Sequence, residues 1–141
     1  MSAVLEENTY HADAQTAAPV VVVGTGPVGI RFVEELLRRN PHTPLVIYGN
    51  EPWEPYNRVR LASLLSGELN FAAIQNPLKL MPHHRVVQHQ DCEIVAIDRA
   101  NKTVYDRLGN CQRYSQLVLA TGSHPHRPSI AGAARVHITS D

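Results

Sequence analysis

Gly24, Gly26 and Gly29 stand in the spacing G-x-G-x-x-G, directly after the run Val20–Val23. Each glycine has its own physical task in such a turn. Gly24 lets the chain leave a strand tightly. Gly26 lets backbone approach a pyrophosphate with no side chain between them, and Gly29 lets the following helix pack close to the strand. The N-terminus of that helix then offers unpaired N–H groups and the positive end of its dipole to phosphate. Pro27 falls near the first helical position, where its missing N–H costs nothing, and Val28 follows it in the cradle. The chemistry is dinucleotide binding. Glu51, 22 residues beyond Gly29, adds an acid at a spacing that suits hydrogen bonds from an adenosine ribose. A carboxylate there suits NAD or FAD and repels the extra phosphate of NADP. On these residues alone NAD and FAD stay open. So do a purely structural glycine turn and a solvated glutamate.

The surrounding elements must hold this turn in place. "VVVVG" reads as a strand buried on both faces. "IRFVEELLRRN" places Ile30, Val33 and Leu37 on one helical stripe, with Phe32 and Leu36 beside it. Arg38 and Arg39 suit the last turn of the helix, and Pro41 ends it. "PLVIYG" is a second buried strand, so the segment is a βαβ unit with a right-handed crossover. The loop "NEPWEPYN" follows, then a short helix over "RVRLASLLSGEL" that stops near Gly67. "FAAIQNPLKLMPHH" reads as mostly loop, broken by Pro77 and Pro82. "RVVQHQ" is a third parallel strand. From Cys92 onward "CEIVAID", "KTVYD" and "QRYSQ" form a small antiparallel meander, with Gly109 free to take a positive φ in its second turn. "LVLATG" returns as a buried strand, and "SHPHRPSIAG" is a proline-rich exit loop.

Composition excludes several function classes. Apolar residues make up 43% of the 141, enough for an ordinary core, and 13 basic residues balance 13 acidic ones. A neutral chain gives no reason to expect nucleic acid or an anionic membrane as partner. No stretch approaches the roughly 18 apolar residues of a membrane helix. Residues 1–18 read as a disordered leader, without the apolar run of a secretory signal, and the default location is the cytoplasm. Cys92 and Cys111 form no C-x-x-C pair, so neither a zinc clamp nor a local redox disulfide is indicated. His83 and His84 fall in a loop, His89 ends a strand, and His124 and His126 flank Pro125; even with Cys92 their spacing matches no familiar ligand pattern, and exposed histidines are the better reading.

The stretch "YSQLVLATGSHPHRPSIAG" carries a strand ending in Ala-Thr-Gly, followed by spaced prolines and a glycine. With the glycine turn and "NEPWEPYNRVRLASLLSGE", it resembles the pyridine nucleotide-disulfide oxidoreductase superfamily over residues 19–141. Within that superfamily it is most similar to the N-terminal FAD-binding part of NAD(P)H-dependent nitrite reductase large subunits, with rubredoxin- and ferredoxin-reductase-like enzymes next. The resemblance implies an α/β fold: a Rossmann-like βαβ parallel sheet with a small antiparallel meander, as in FAD-binding domains of the glutathione-reductase type. It implies FAD rather than NAD as the bound cofactor. Gly24, Gly26 and Gly29 would cradle its pyrophosphate, Glu51 would hold the adenosine ribose, and Arg58 would lie against it as a fixed cation. Ala120, Thr121 and Gly122 would bring backbone close at the end of their strand, and backbone near Ile94 would border the adenine. Trp53 and Tyr56 could wall the cleft or simply pack.

One position departs from the flavin reductases. Many of them have Leu-Ser-Lys after "YNR"; this chain has Leu61, Ala62 and Ser63. Nitrite-reductase-like members also lack that lysine. The resemblance further implies an NAD(P)H domain and a returning segment beyond Asp141, so the FAD domain is expected to be incomplete at its C-terminus. The expected function is that of a FAD-binding segment passing electrons from NAD(P)H through FAD to a redox acceptor protein or domain. The alternatives are a non-catalytic module completed by another chain and an NAD-binding Rossmann dehydrogenase. The isolated chain is expected to lack complete catalytic machinery, to hold FAD weakly and to self-associate through its incomplete sheet.

Overall fold

Four consecutive valines have no polar face to turn to water. In the computed structural model, which describes residues 17–123, all four are buried in β1 (Val20–Val23). β2 (Leu45–Tyr48) is buried throughout as well. The two pair in parallel, Val20 opposite Leu45 and Val23 opposite Tyr48. Alternation along each strand splits their side chains between two cores. Val20, Val22, Leu45 and Ile47 face α1 (Pro27–Arg39) and meet its Val33 and Leu37. Val21, Val23, Val46 and Tyr48 face the other way and meet Val104 and Tyr114 of the meander. The order of layers is therefore helix, parallel sheet, antiparallel sheet.

The predicted stripe on α1 is the buried one: Ile30, Val33 and Leu37 are buried, Leu36 packs at the margin of the core, and Phe32 is 37% exposed. On the outer face Glu35 accepts hydrogen bonds from Arg38 at 2.6 Å and Arg39 at 2.8 Å. These two guanidinium groups hold the Glu35 carboxyl down to about 2.

The parallel sheet has the order β3-β2-β1-β7, with β3 at Val86–His89 and β7 at Gln116–Leu119. The second sheet is the meander β4 (Ile94–Asp98), β5 (Thr103–Asp106) and β6 (Cys111–Arg113), paired antiparallel. Asp106 anchors its second turn. Its carboxylate accepts the N–H groups of Leu108 at 2.9 Å and Asn110 at 2.8 Å, and the Asn110 side chain at 2.8 Å. Gly109 in that turn has φ +88°.

Three sequence expectations need correction. "FAAIQNPLKLMPHH" is not all loop: α2 (Leu61–Leu65) is followed by α3 (Phe71–Ile74), whose first turn is capped by Asn70, its side chain accepting the Ala73 N–H at 2.9 Å. A single turn is too short to leave a periodic signature. The helix expected over "RVRLASLLSGEL" begins as a 3₁₀ turn at Arg58–Arg60 before α2, and Gly67 at φ +80° follows its end. The third meander strand is Cys111–Arg113 rather than "QRYSQ", because Ser115 already bonds to Pro19 O at 2.8 Å and Gln116 already pairs with β1. "LVLATG" does pair with β1, but Gln116 and Leu119 are exposed, since β7 forms one edge of the described sheet. Residues 1–16 and 124–141 fall outside the described residues. Residues 1–16 of the leader, His124, His126 and most of the exit loop lie there. Among the described residues, no helix is long and apolar enough to cross a membrane.

Candidate cofactor site

The three glycines of the turn meet three different surroundings. At Gly24, φ is +115° and an added Cβ would sit 2.1 Å from the carbonyl oxygen of Ala120. At Gly29 an added Cβ would sit 2.1 Å from the carbonyl oxygen of Gly24 and 3.4 Å from the Ala120 Cβ. Both positions are closed to any side chain by the backbone of the fold itself. Gly26 differs. Its φ of −68° and ψ of 176° suit any residue, and an added Cβ would meet nothing within 4 Å. Gly26 is the N-cap of α1 and supplies no side-chain cap. The first N–H groups of any helix lack partners within it. The backbone of Val28 and Gly29, past Pro27, thus presents donors and the positive dipole end beside an open glycine.

The end of β7 completes this wall. Ala120 donates its N–H to Val23 O at 2.8 Å, which lays the Ala120-Thr121-Gly122 segment along the turn, and Gly122 has φ +73°. One further close approach went unread in the sequence. Gly49, at the end of β2, lies so near Thr25 that a Cβ there would be 2.6 Å from Thr25 Oγ1. A lone glycine after a strand gives no signal of this, because the contact spans two loops.

Glu51 leaves the same end of the sheet two residues later. Its backbone carbonyl accepts the Asp91 N–H at 2.9 Å, and Gly49 O accepts that of Cys92 at 2.8 Å, stitching the loops after β2 and β3 together. The Glu51 carboxylate, 27% exposed, accepts Arg58 Nη2 at 2.8 Å. Arg58 Nη1 donates to the Tyr56 hydroxyl oxygen at 3.1 Å, and the guanidinium carbon lies 5.0 Å from the Tyr56 ring centroid. The two residues expected to hold the ribose and act as a fixed cation are thus brought together, with Tyr56 as an added partner. Tyr56 itself sits on a braced backbone: Asn57 N–H donates to Ile74 O at 2.7 Å and Asn76 N–H to Pro55 O at 2.6 Å. Its ring lies 5.8 Å from that of Phe71, which also meets Trp53 at 5.5 Å. Trp53 packs there and is 55% exposed.

A cleft of about 440 Å³ separates this loop from the start of α1; its lining includes Thr25, Pro27, Ile30, Tyr56, Asn57 and Arg60. Ile94 is half-buried at the start of β4, packed against the core cluster of Val21, Val23 and Tyr48 on the meander face. Below that face, burial pushes the Tyr48 hydroxyl up to about 12, with Cys92 and Asp106 adding to the effect. Burial also raises the Cys92 thiol, which donates to Asp106 Oδ2 at 3.6 Å. Both cysteines are free thiols. Among the described residues no group of three or more His, Cys, Asp or Glu is placed to hold a metal ion.

Comparison with known proteins adds three kinds of finding. The profile of the pyridine nucleotide-disulphide oxidoreductase family matches residues 18–141. The assimilatory nitrate reductase electron transfer subunit of Bacillus subtilis is 35% identical over 81% of this chain, and the nitrite reductase [NAD(P)H] of the same organism is 32% identical over 86%. This chain spans 15% of the length of each of those two relatives. Among solved structures, a ferredoxin reductase from Rhodopseudomonas palustris superposes with a TM-score of 0.74 at 22% identity, over 84% of this chain and 30% of that one.

Proposed function

From the premise that this chain belongs to the pyridine nucleotide-disulphide oxidoreductase family, we propose that residues 19–141 are the N-terminal FAD-binding segment of a flavoprotein oxidoreductase. When bound, FAD takes a hydride from NAD(P)H and releases electrons to an acceptor. In the whole protein that acceptor is a redox protein or domain of the nitrite-reductase kind. The names of the relatives, an electron transfer subunit and an NAD(P)H-dependent nitrite reductase, support this reading.

The observation that carries the proposal is the open space at Gly26. Packing accounts for Gly24 and Gly29, but no contact within 4 Å accounts for Gly26. A glycine with an ordinary φ and free space above it is explained by a ligand that must touch its backbone. The groups around it fit a dinucleotide. The N–H groups of Val28 and Gly29 donate to a pyrophosphate. Glu51 accepts hydrogen bonds from the adenosine ribose, with Arg58 beside it. The Ala120–Gly122 backbone closes the other side, and the meander near Ile94 borders the adenine. The described chain offers this adenine and pyrophosphate end. The site that receives NAD(P)H and the strand that would pair with β7 are assigned to the rest of the protein, so the isolated chain holds FAD weakly and self-associates along β7.

The test is reconstitution of the purified chain with FAD, followed by flavin fluorescence, against NAD as competitor. Weak, saturable quenching of flavin fluorescence by the native chain, lost in Gly26→Ala, supports the proposal. Tighter binding of NAD than of FAD would overturn it in favour of a Rossmann dehydrogenase.

A further inference from the structure

We propose that Tyr56 is a positioning residue for ribose recognition: it divides the Arg58 guanidinium so that the Glu51 carboxylate keeps acceptor capacity for the sugar. The inference rests on the FAD reading above and adds a residue to it. Arginine tends to close both arms of its fork on one carboxylate, which occupies both oxygens. Here the two terminal nitrogens go to different partners, Nη2 to Glu51 Oε1 at 2.8 Å and Nη1 to the Tyr56 hydroxyl at 3.1 Å. The Tyr56 ring also lies under the guanidinium, 5.0 Å away, and fixes its plane. An ionised carboxylate has about four lone-pair sites, so a carboxylate held through one oxygen can still accept from ribose hydroxyls. Tyr56 can fix Arg58 because its own backbone is fixed. The Tyr56–Gln75 bridge and the hydrogen bonds of Asn57 and Asn76 tie it to the end of α3. The short helix that left no trace in the sequence pattern thereby helps orient the acid that did.

The experiment is a double-mutant cycle on the full 141-residue chain, read by the binding of ADP and 2′-deoxy-ADP. ADP carries the half of the cofactor this chain contacts, and the ratio of the two affinities isolates the sugar hydroxyl. The native chain is expected to prefer ADP by about tenfold. Tyr56→Phe is expected to reduce that preference to about threefold or less while leaving 2′-deoxy-ADP binding within about twofold of native. Glu51→Ala abolishes the preference, and adding Tyr56→Phe to it changes nothing further. Tyr56→His, with a different polar ring, repeats the cycle should Tyr56→Phe lower the melting temperature. Equal weakening of both ligands, or an undiminished effect of Tyr56→Phe in the Glu51→Ala background, would overturn the positioning role and leave the FAD reading standing. A native chain that binds neither ADP nor FAD would overturn both.

Discussion

At the glycine turn, backbone lies against backbone: the Ala120 carbonyl fills the space beside Gly24, and the Gly24 carbonyl fills the space beside Gly29. In the segment from Glu51 to Arg58, side chains lie against side chains, and polar contacts between Glu51, Arg58 and Tyr56 set their positions. The first arrangement is steric and tolerates no added atom. The second is polar, half-exposed, and can exchange partners when a ligand arrives. The proposed role of the turn, a phosphate cradle, would need donors fixed in advance. The role proposed for Glu51, a sugar-binding acid, would need an orientation with acceptor sites left over.

The sharpest way to break this contrast is Gly29→Ala. A Cβ 2.1 Å from a carbonyl oxygen forces β1 and α1 apart, and we expect a loss of about 3 kcal/mol or more in urea unfolding. An unchanged unfolding midpoint would show that the turn is looser than its packing implies. Gly26→Ala should do the opposite. Its unfolding midpoint should match the native chain, while FAD affinity drops about tenfold, or roughly 1.4 kcal/mol. A destabilised Gly26→Ala would place Gly26 with the other two glycines and remove the argument for a ligand.

Asp106 extends the polar side of the comparison to the meander. Burial pushes its carboxyl up, but hydrogen bonds from the Asn110 side chain and backbone, from Cys92 and from Leu108 outweigh it and leave the net shift downward. A carboxyl lowered on folding stabilises the fold above its ordinary value of 3.8. That contribution is lost as pH falls below 3.8 through the folded value. Asp106→Ala should lower the melting temperature by roughly 5 °C near neutrality. It should also flatten the acid limb of a stability profile measured from pH 7 to pH 2. The smallest effect belongs to Glu35→Gln on the outer face of α1. Glu35 is also held low, to about 2, by Arg38 and Arg39, yet the pair is solvated and screened. The melting temperature near neutrality should move by about 1 °C at most.

The sequence was most informative where a residue's role depends on its near neighbours in the chain. Val20–Val23 and Leu45–Tyr48 had to be two-faced strands, because neither run has a polar face, and Ile30, Val33 and Leu37 had to point inward together. The glycine spacing marked the turn, and Glu51 and Arg58 were singled out one at a time. α3 escaped notice because four residues make too little of a period, with Asn70 its only local signal. The exposure of Leu119 matches the edge that the expected incomplete sheet implies; the apolar sequence of its strand does not carry it, because an edge strand and a central strand can share one and differ in whether a neighbour pairs with them.

The sequence by itself therefore determined the βαβ unit, the presence of a meander and the glycine turn, since each follows from periodicity, propensity or the conformational range of glycine over a few adjacent residues. Only the tertiary structure shows what closes Gly24, the carbonyl of Ala120 almost a hundred residues away in the chain, and that the space at Gly26 is left open. It alone decided that Glu51, Tyr56 and Arg58 act as one group, because the distances between side chains across a folded loop are written in no local pattern.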